Sequence, residues 1–147
     1  MARGKRRVAD QLHSAAIHLL RRLREADAGS GVSPSRLSAL SVLVFGGPAS
    51  VSELAEAEMV RSPTMTGIVR GLEGDGLIAR APDPRDGRAV ILRATARGER
   101  LLHAARTRRI EAFEALLDGT TTAELHVLEE AGDILERLVR APILRPR

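Results

Sequence analysis

Apolar residues recur three and four positions apart along most of this chain, and the places where that rhythm stops divide it into helices and one short β segment. Val8, Leu12, Ala15, Ala16, Leu19 and Leu23 predict an amphipathic helix over 8–28, preceded by a basic arm at 1–7. After a Gly/Ser loop, Ser33 and Pro34 restart a helix with a capping oxygen followed by a residue that needs no N–H there. Leu37, Leu40, Leu43 and Val44 face inward along it, Phe45 is assigned to packing, and Gly46-Gly47-Pro48 ends it. Ser50 with Glu53 fits a capping box, so a short helix carrying Leu54 and Ala55 follows, with a turn near 57–61. Ser62 as cap and Pro63 as first residue open the next helix, whose Met65, Ile68, Val69 and Leu72 form one apolar stripe. Its opposite face holds Pro63, Thr66, Gly67, Arg70 and Gly74, which suits a polar partner.

The rhythm then changes. Residues 77–80 and 89–93 are β-favouring runs separated by Ala-Pro-Asp-Pro-Arg-Asp-Gly-Arg, a turn-forming stretch, and predict a hairpin with a basic tip. Two short helices followed by a hairpin make a winged helix-turn-helix, in which the second helix can enter a DNA major groove while the hairpin reaches the minor groove or backbone. Thr95 can cap a long helix to about Leu117, with Leu101, Leu102, Ala105, Ala112, Phe113, Leu116 and Leu117 on its apolar side and Arg106 to Arg109 exposed. Asp118-Gly119 breaks it. Thr121 and Glu124 form a second capping box, opening a last helix with Leu125, Leu128, Leu135, Leu138 and Val139 on one side. Pro142 stops that helix, and Ile143 and Leu144 are expected to pack.

With 147 residues, 44% hydrophobic and 29% charged, the chain is expected to form a single domain over 1–147. Its helical flanks at 8–28 and 95–141 surround a winged region at 33–94. No apolar run approaches the roughly 20 residues of a membrane span, and the basic N-terminus lacks the apolar core of a signal peptide. A cytoplasmic location without a membrane partner is expected. The absence of cysteine excludes disulfides, thiolate zinc sites and a cysteine redox switch. The net charge of +4 is built on arginine, since Lys5 is the single lysine, and arginine pairs with phosphates and guanine edges. Phe45 and Phe113 are the sole aromatics, too few for the stacking platforms of single-strand binders.

Candidate catalytic chemistry is missing. Serines fall mostly at caps, and His13, His18, His103 and His126 stand apart, His13 and His18 being five residues apart rather than at the i, i+4 spacing of a helical zinc pair. Glu129-Glu130 reads as a solvated face. Gly67, Gly71, Gly74 and Gly76 lack the Gly-Lys-Ser/Thr ending of a phosphate loop. No enzyme, cofactor or metal is expected.

The run from Leu54 to Leu102 resembles the MarR (multiple antibiotic resistance regulator) family of bacterial transcription factors. The resemblance lies in Leu54-Ala55, Ser62-Pro63-Thr64-Met65-Thr66, Leu72-Glu73 and Gly76-Leu77-Ile78-Ala79-Arg80. It continues through Asp83-Pro84-Arg85-Asp86-Gly87-Arg88-Ala89 and Thr95, Gly98 and Leu101. It implies a mainly α fold with a β-hairpin wing and long terminal helices that pair two copies, here through Leu12, Leu19, Leu135 and Leu138. It also implies a homodimeric regulator of pseudo-palindromic double-stranded DNA, acting as a repressor released by a small-molecule effector. Ser62, Pro63, Thr64, Thr66, Gly67, Arg70, Asp83, Arg85 and Arg88 would serve DNA, with Arg85 in the minor groove and Arg88 pairing with acid and phosphate. Many relatives carry larger residues at positions 67 and 71, so Gly67 is either a point of close backbone approach or a glycine tolerated through packing. The rival reading is a winged-helix scaffold that binds protein, which would expose more apolar surface than this helix face offers.

Overall fold

The computed structural model describes residues 2–140, and the expectations for Pro142, Ile143 and Leu144 lie outside them. The described chain is mostly helical with one two-stranded sheet. The elements are α1 (Ala2–Asp27), α2 (Pro34–Gly46), α3 (Val51–Ala57), α4 (Ser62–Gly74), β1 (Ile78–Pro82), β2 (Val90–Ala94), α5 (Ala96–Leu116) and α6 (Thr122–Arg140). The order and type of these elements are those expected from the sequence, with one turn of 3-10 helix at Ala28–Ser30 inside the expected Gly/Ser loop. The chain divides into two compact units, one through Ala112 and one from Phe113 onward.

The core of the first unit gathers the predicted stripes. Leu37, Leu40 and Leu43 from α2, Leu54 and Ala55 from α3, and Met65, Val69 and Leu72 from α4 are buried together with Leu77, Ile78, Leu92, Leu102 and Ala105. The strands pair antiparallel with Ile78 opposite Ala94 and Pro82 opposite Val90. A third partner joins this sheet: Ala49 exchanges both backbone hydrogen bonds with Leu92, at 3.2 and 2.8 Å. The β2 strand is thus fastened to the residue just before α3, which ties the hairpin to the helical pair.

Local capping follows the chemistry read from the sequence in three places. The Ser50–Glu53 box is closed in both directions, by Glu53 N–H to Ser50 Oγ at 3.2 Å and Ser50 N–H to Glu53 Oε2 at 2.7 Å. Thr121 and Glu124 repeat it at 3.3 and 2.8 Å. Thr95 Oγ1 accepts from Gly98 N–H and donates to Gly76 O, so one side chain starts α5 and fixes it to the turn after α4. A Cβ on Gly98 would overlap the Leu77 carbonyl, and this close approach is why glycine stands there.

Several expectations need correction. The segment read as a basic arm at 1–7 is helical from Ala2, because alanine and arginine are good helix formers and continue α1. Ser33 has extended cap geometry but no side-chain capping bond, its Oγ lying instead 3.2 Å from Ser35 Oγ. Arg61, not Ser62, is the cap of α4, so Ser62 is already helical and Pro63 occupies its first turn. Phe45 is 65% exposed rather than packed, with its ring set edge-to-face against His103 at 6.2 Å between ring centroids. Arg109 is not a free surface cation: its guanidinium donates to both oxygens of buried Asp27, at 2.7 and 2.8 Å, joining α1 to α5.

Candidate nucleic-acid interface

The short α3 and the longer α4 pack together around Leu54, Ala55, Met65 and Val69, and a tight reversal at 58–61 lets the second helix leave at an angle. In that reversal Met59 adopts a left-handed backbone (φ 53°) while 92% exposed. Burial of Met65, Val69 and Leu72 on one side of α4 turns Ser62, Pro63, Thr64, Thr66, Gly67 and Arg70 outward, and all six are exposed. Thr66 Oγ1 donates back to Ser62 O at 2.9 Å, leaving its methyl and the oxygen's other lone pair on the surface. Among the described residues the space beside Gly67 is open: a Cβ there would meet nothing within 4 Å. Packing within the chain therefore gives no reason for a glycine at that position.

The wing is built around Asp83. Its carboxylate is the buried acid of the hairpin, accepting from Arg85 N–H at 2.8 Å, from Arg85 Nε at 3.1 Å and from the same guanidinium's terminal nitrogen at 3.1 Å. These hydrogen bonds hold the Asp83 carboxyl below its ordinary 3.8 and raise the Arg85 guanidinium. The clamp is accordingly intact at neutral pH and opens only as acidification falls below the usual carboxylate range. Glu53 lies 3.9 Å from Arg85, so the capping acid of α3 also faces the wing arginine, although its own lowered pKa comes first from the Ser50 hydrogen bonds. Despite these partners the Arg85 side chain is 73% exposed.

The acid partner expected for Arg88 belongs instead to Arg85. Arg85 holds the aspartate, whereas Arg88 only donates its backbone N–H to Asp86 Oδ1 at 3.0 Å and keeps an exposed side chain. Sequence reasoning missed two further pairs. Glu73 takes Arg80 in a bidentate grip at 2.7 and 3.1 Å, tying the end of α4 to β1, and Arg36 of α2 reaches Asp75 at 3.1 Å. The signal for the first was in hand, since Glu73 and Arg80 both belong to the matched string, but a seven-residue gap across a turn has no helical period to expose it. Among the described residues no His, Asp and Glu cluster could hold a metal ion, and no helix is long and apolar enough to cross a membrane.

An outward-facing helix with small polar side chains beside a clamped arginine hairpin defines a winged helix-turn-helix DNA-binding protein. Residues 32–90 match the MarR family model. An HTH-type transcriptional regulator of Mycobacterium tuberculosis is 38% identical over 133 residues, 90% of this chain and 93% of that protein. A MarR family protein from Bacillus stearothermophilus superposes with a TM-score of 0.82 at 25% identity, over 95% of this chain and 97% of that one. The HTH-type transcriptional repressor IacR of Pseudomonas putida is 29% identical over 100 residues, 68% of this chain and 60% of that protein. The chain belongs to the MarR family and is a DNA-binding transcription regulator, not an enzyme.

Proposed function

We propose that the chain is a homodimeric, sequence-specific repressor of pseudo-palindromic double-stranded DNA, working in the cytoplasm and released by a small-molecule effector. The observation that carries the DNA part is the exposed α4 face running into the wing: Thr64, Thr66 and Arg70 for base edges, Ser62 and Pro63 at the helix start for the backbone, and Arg85 and Arg88 for the flanking groove. Asp83 aims Arg85 without contacting DNA itself. Residues 33–94 do this work, and the helical segments at 8–28 and 95–141 pair the copies, so that the whole chain acts as one functional domain.

Repression and effector release are drawn from family membership and from the relative named as a repressor. Selection from a random duplex pool tests the binding: the enriched sequence should have two related half-sites about one helical turn apart. No enrichment would remove sequence-specific binding, and the protein-binding scaffold would then take its place. Deleting the gene and measuring transcripts next to the enriched sites tests the sign of control, because their level should rise on loss of a repressor.

A further inference from the structure

The four glycines of the α4 region are not equivalent, and Gly71 is the one with a neighbour. The Arg36 side chain crosses from α2 and lays its guanidinium over Gly71, so close that a Cβ built there would overlap the guanidinium carbon and two of its nitrogens. From that seat Arg36 bonds Asp75, the residue that ends α4, at 3.1 Å. Around Gly67 and Gly74, by contrast, the space for a Cβ is open. The guanidinium is flat and rigid, so it can lie on bare helix backbone while keeping its donors aimed at a carboxylate. Any side chain at 71 would lift it off.

We propose that Arg36, Gly71 and Asp75 form a latch that sets the pose of the DNA-reading helix, with Arg36 as a positioning residue rather than a DNA contact. The inference rests on the DNA-binding reading above. Arg36 enters from α2, the helix that carries Leu37 and Leu40 of the core, and grips α4 at its C-terminal end, through Gly71 and Asp75. A contact at one end of a thirteen-residue helix bears on how its other end is angled, and hydrogen bonds to base edges depend on distance and direction. The pair itself is half-exposed, so its contribution to stability is small, and its effect falls on geometry.

A double-mutant cycle tests this with the full-length protein and the duplex enriched by the wild type. Gly71→Ala removes the seat while giving α4 the better helix former, so the thermal midpoint should hold or rise. Affinity for the enriched duplex relative to random duplex should nevertheless fall by about fivefold, the scale of couplings between touching residues. Arg36→Ala should lower the same ratio by a similar factor. The double variant should be no worse than either single one, since both remove one latch. Unchanged ratios, or losses that multiply in the double variant, would overturn the latch while leaving DNA binding by the wild type in place. If the wild type enriches no sequence, the underlying reading fails first, and the latch with it.

Discussion

At the scale of single residues, the two wing arginines show how far residue type alone carries an assignment. Both stand two residues after an aspartate in the sequence, and the fold separates them: Asp83 curls back to accept from the Arg85 backbone and side chain together, whereas Asp86 accepts from the Arg88 N–H. Different consequences follow for the two truncations. Arg85→Ala should reduce the slope of log affinity against log salt by about one unit, as expected for one lost phosphate-equivalent charge. It should also speed amide exchange over residues 83–89, because the Asp83 clamp loses its side-chain arm. Arg88→Ala should lower the slope by a similar amount and leave exchange in the free protein unaltered. Salt titrations paired with exchange measurements check both, and equal exchange in the two variants would mean that the clamp does not order the hairpin. Gly67 is the opposite case: the sequence left close approach and tolerated drift open, and the empty space beside it shows only that no packing within the chain demands glycine.

Elements were more legible than residues because they rest on periodicity and on caps that sum over many positions. The stripe of Met65, Val69 and Leu72, both capping boxes and the Thr95 start of α5 all follow from spacing. What escaped was long-range or had no period: the Ala49–Leu92 bridge is one residue long, and the Asp27–Arg109 pair spans 82 positions. The reversal between α3 and α4 is another such place, since nothing in the string Ala57 to Arg61 announces a left-handed residue. Met59 holds that conformation with its side chain 92% exposed, so it suffers the Cβ clash of about 1–2 kcal/mol without packing in return. Met59→Gly should relieve the clash, partly offset by glycine's larger unfolded-state entropy of roughly 0.5–1 kcal/mol. A net gain of about 0.5–1 kcal/mol in denaturant unfolding is expected. A loss of stability would show that the Met59 side chain has a contact in solution that compensates the strain.

For the whole molecule, the exposed apolar rows decide what a single copy lacks. Along α1, Val8, Leu12, Ile17, Leu19 and Leu20 are each 40–54% exposed, and along α6, Leu125, Leu128, Ile134, Leu135 and Leu138 are 38–63% exposed. Scattered apolar residues on a surface call for no explanation, but rows at helical spacing on two separate long helices do. A second copy supplies matching rows at once, which is the economical cover and fits the two-fold operator expected from selection. Replacing Leu12 and Leu19 by aspartate in one variant, and Leu135 and Leu138 in another, would bury unpaired charges at a cost of several kcal/mol if those rows are interfaces. Each variant should therefore sediment as a monomer at micromolar concentration, unfold at lower temperature than the wild type and lose the tight binding that two joined half-sites confer. The contrast with single half-sites sharpens the test: a monomer that still folds should bind one half-site about as well as each wild-type subunit does, because Arg70, Arg85 and the α4 face are untouched. A wild type that sediments as a monomer would leave both apolar rows without the proposed cover and would require a different partner for them.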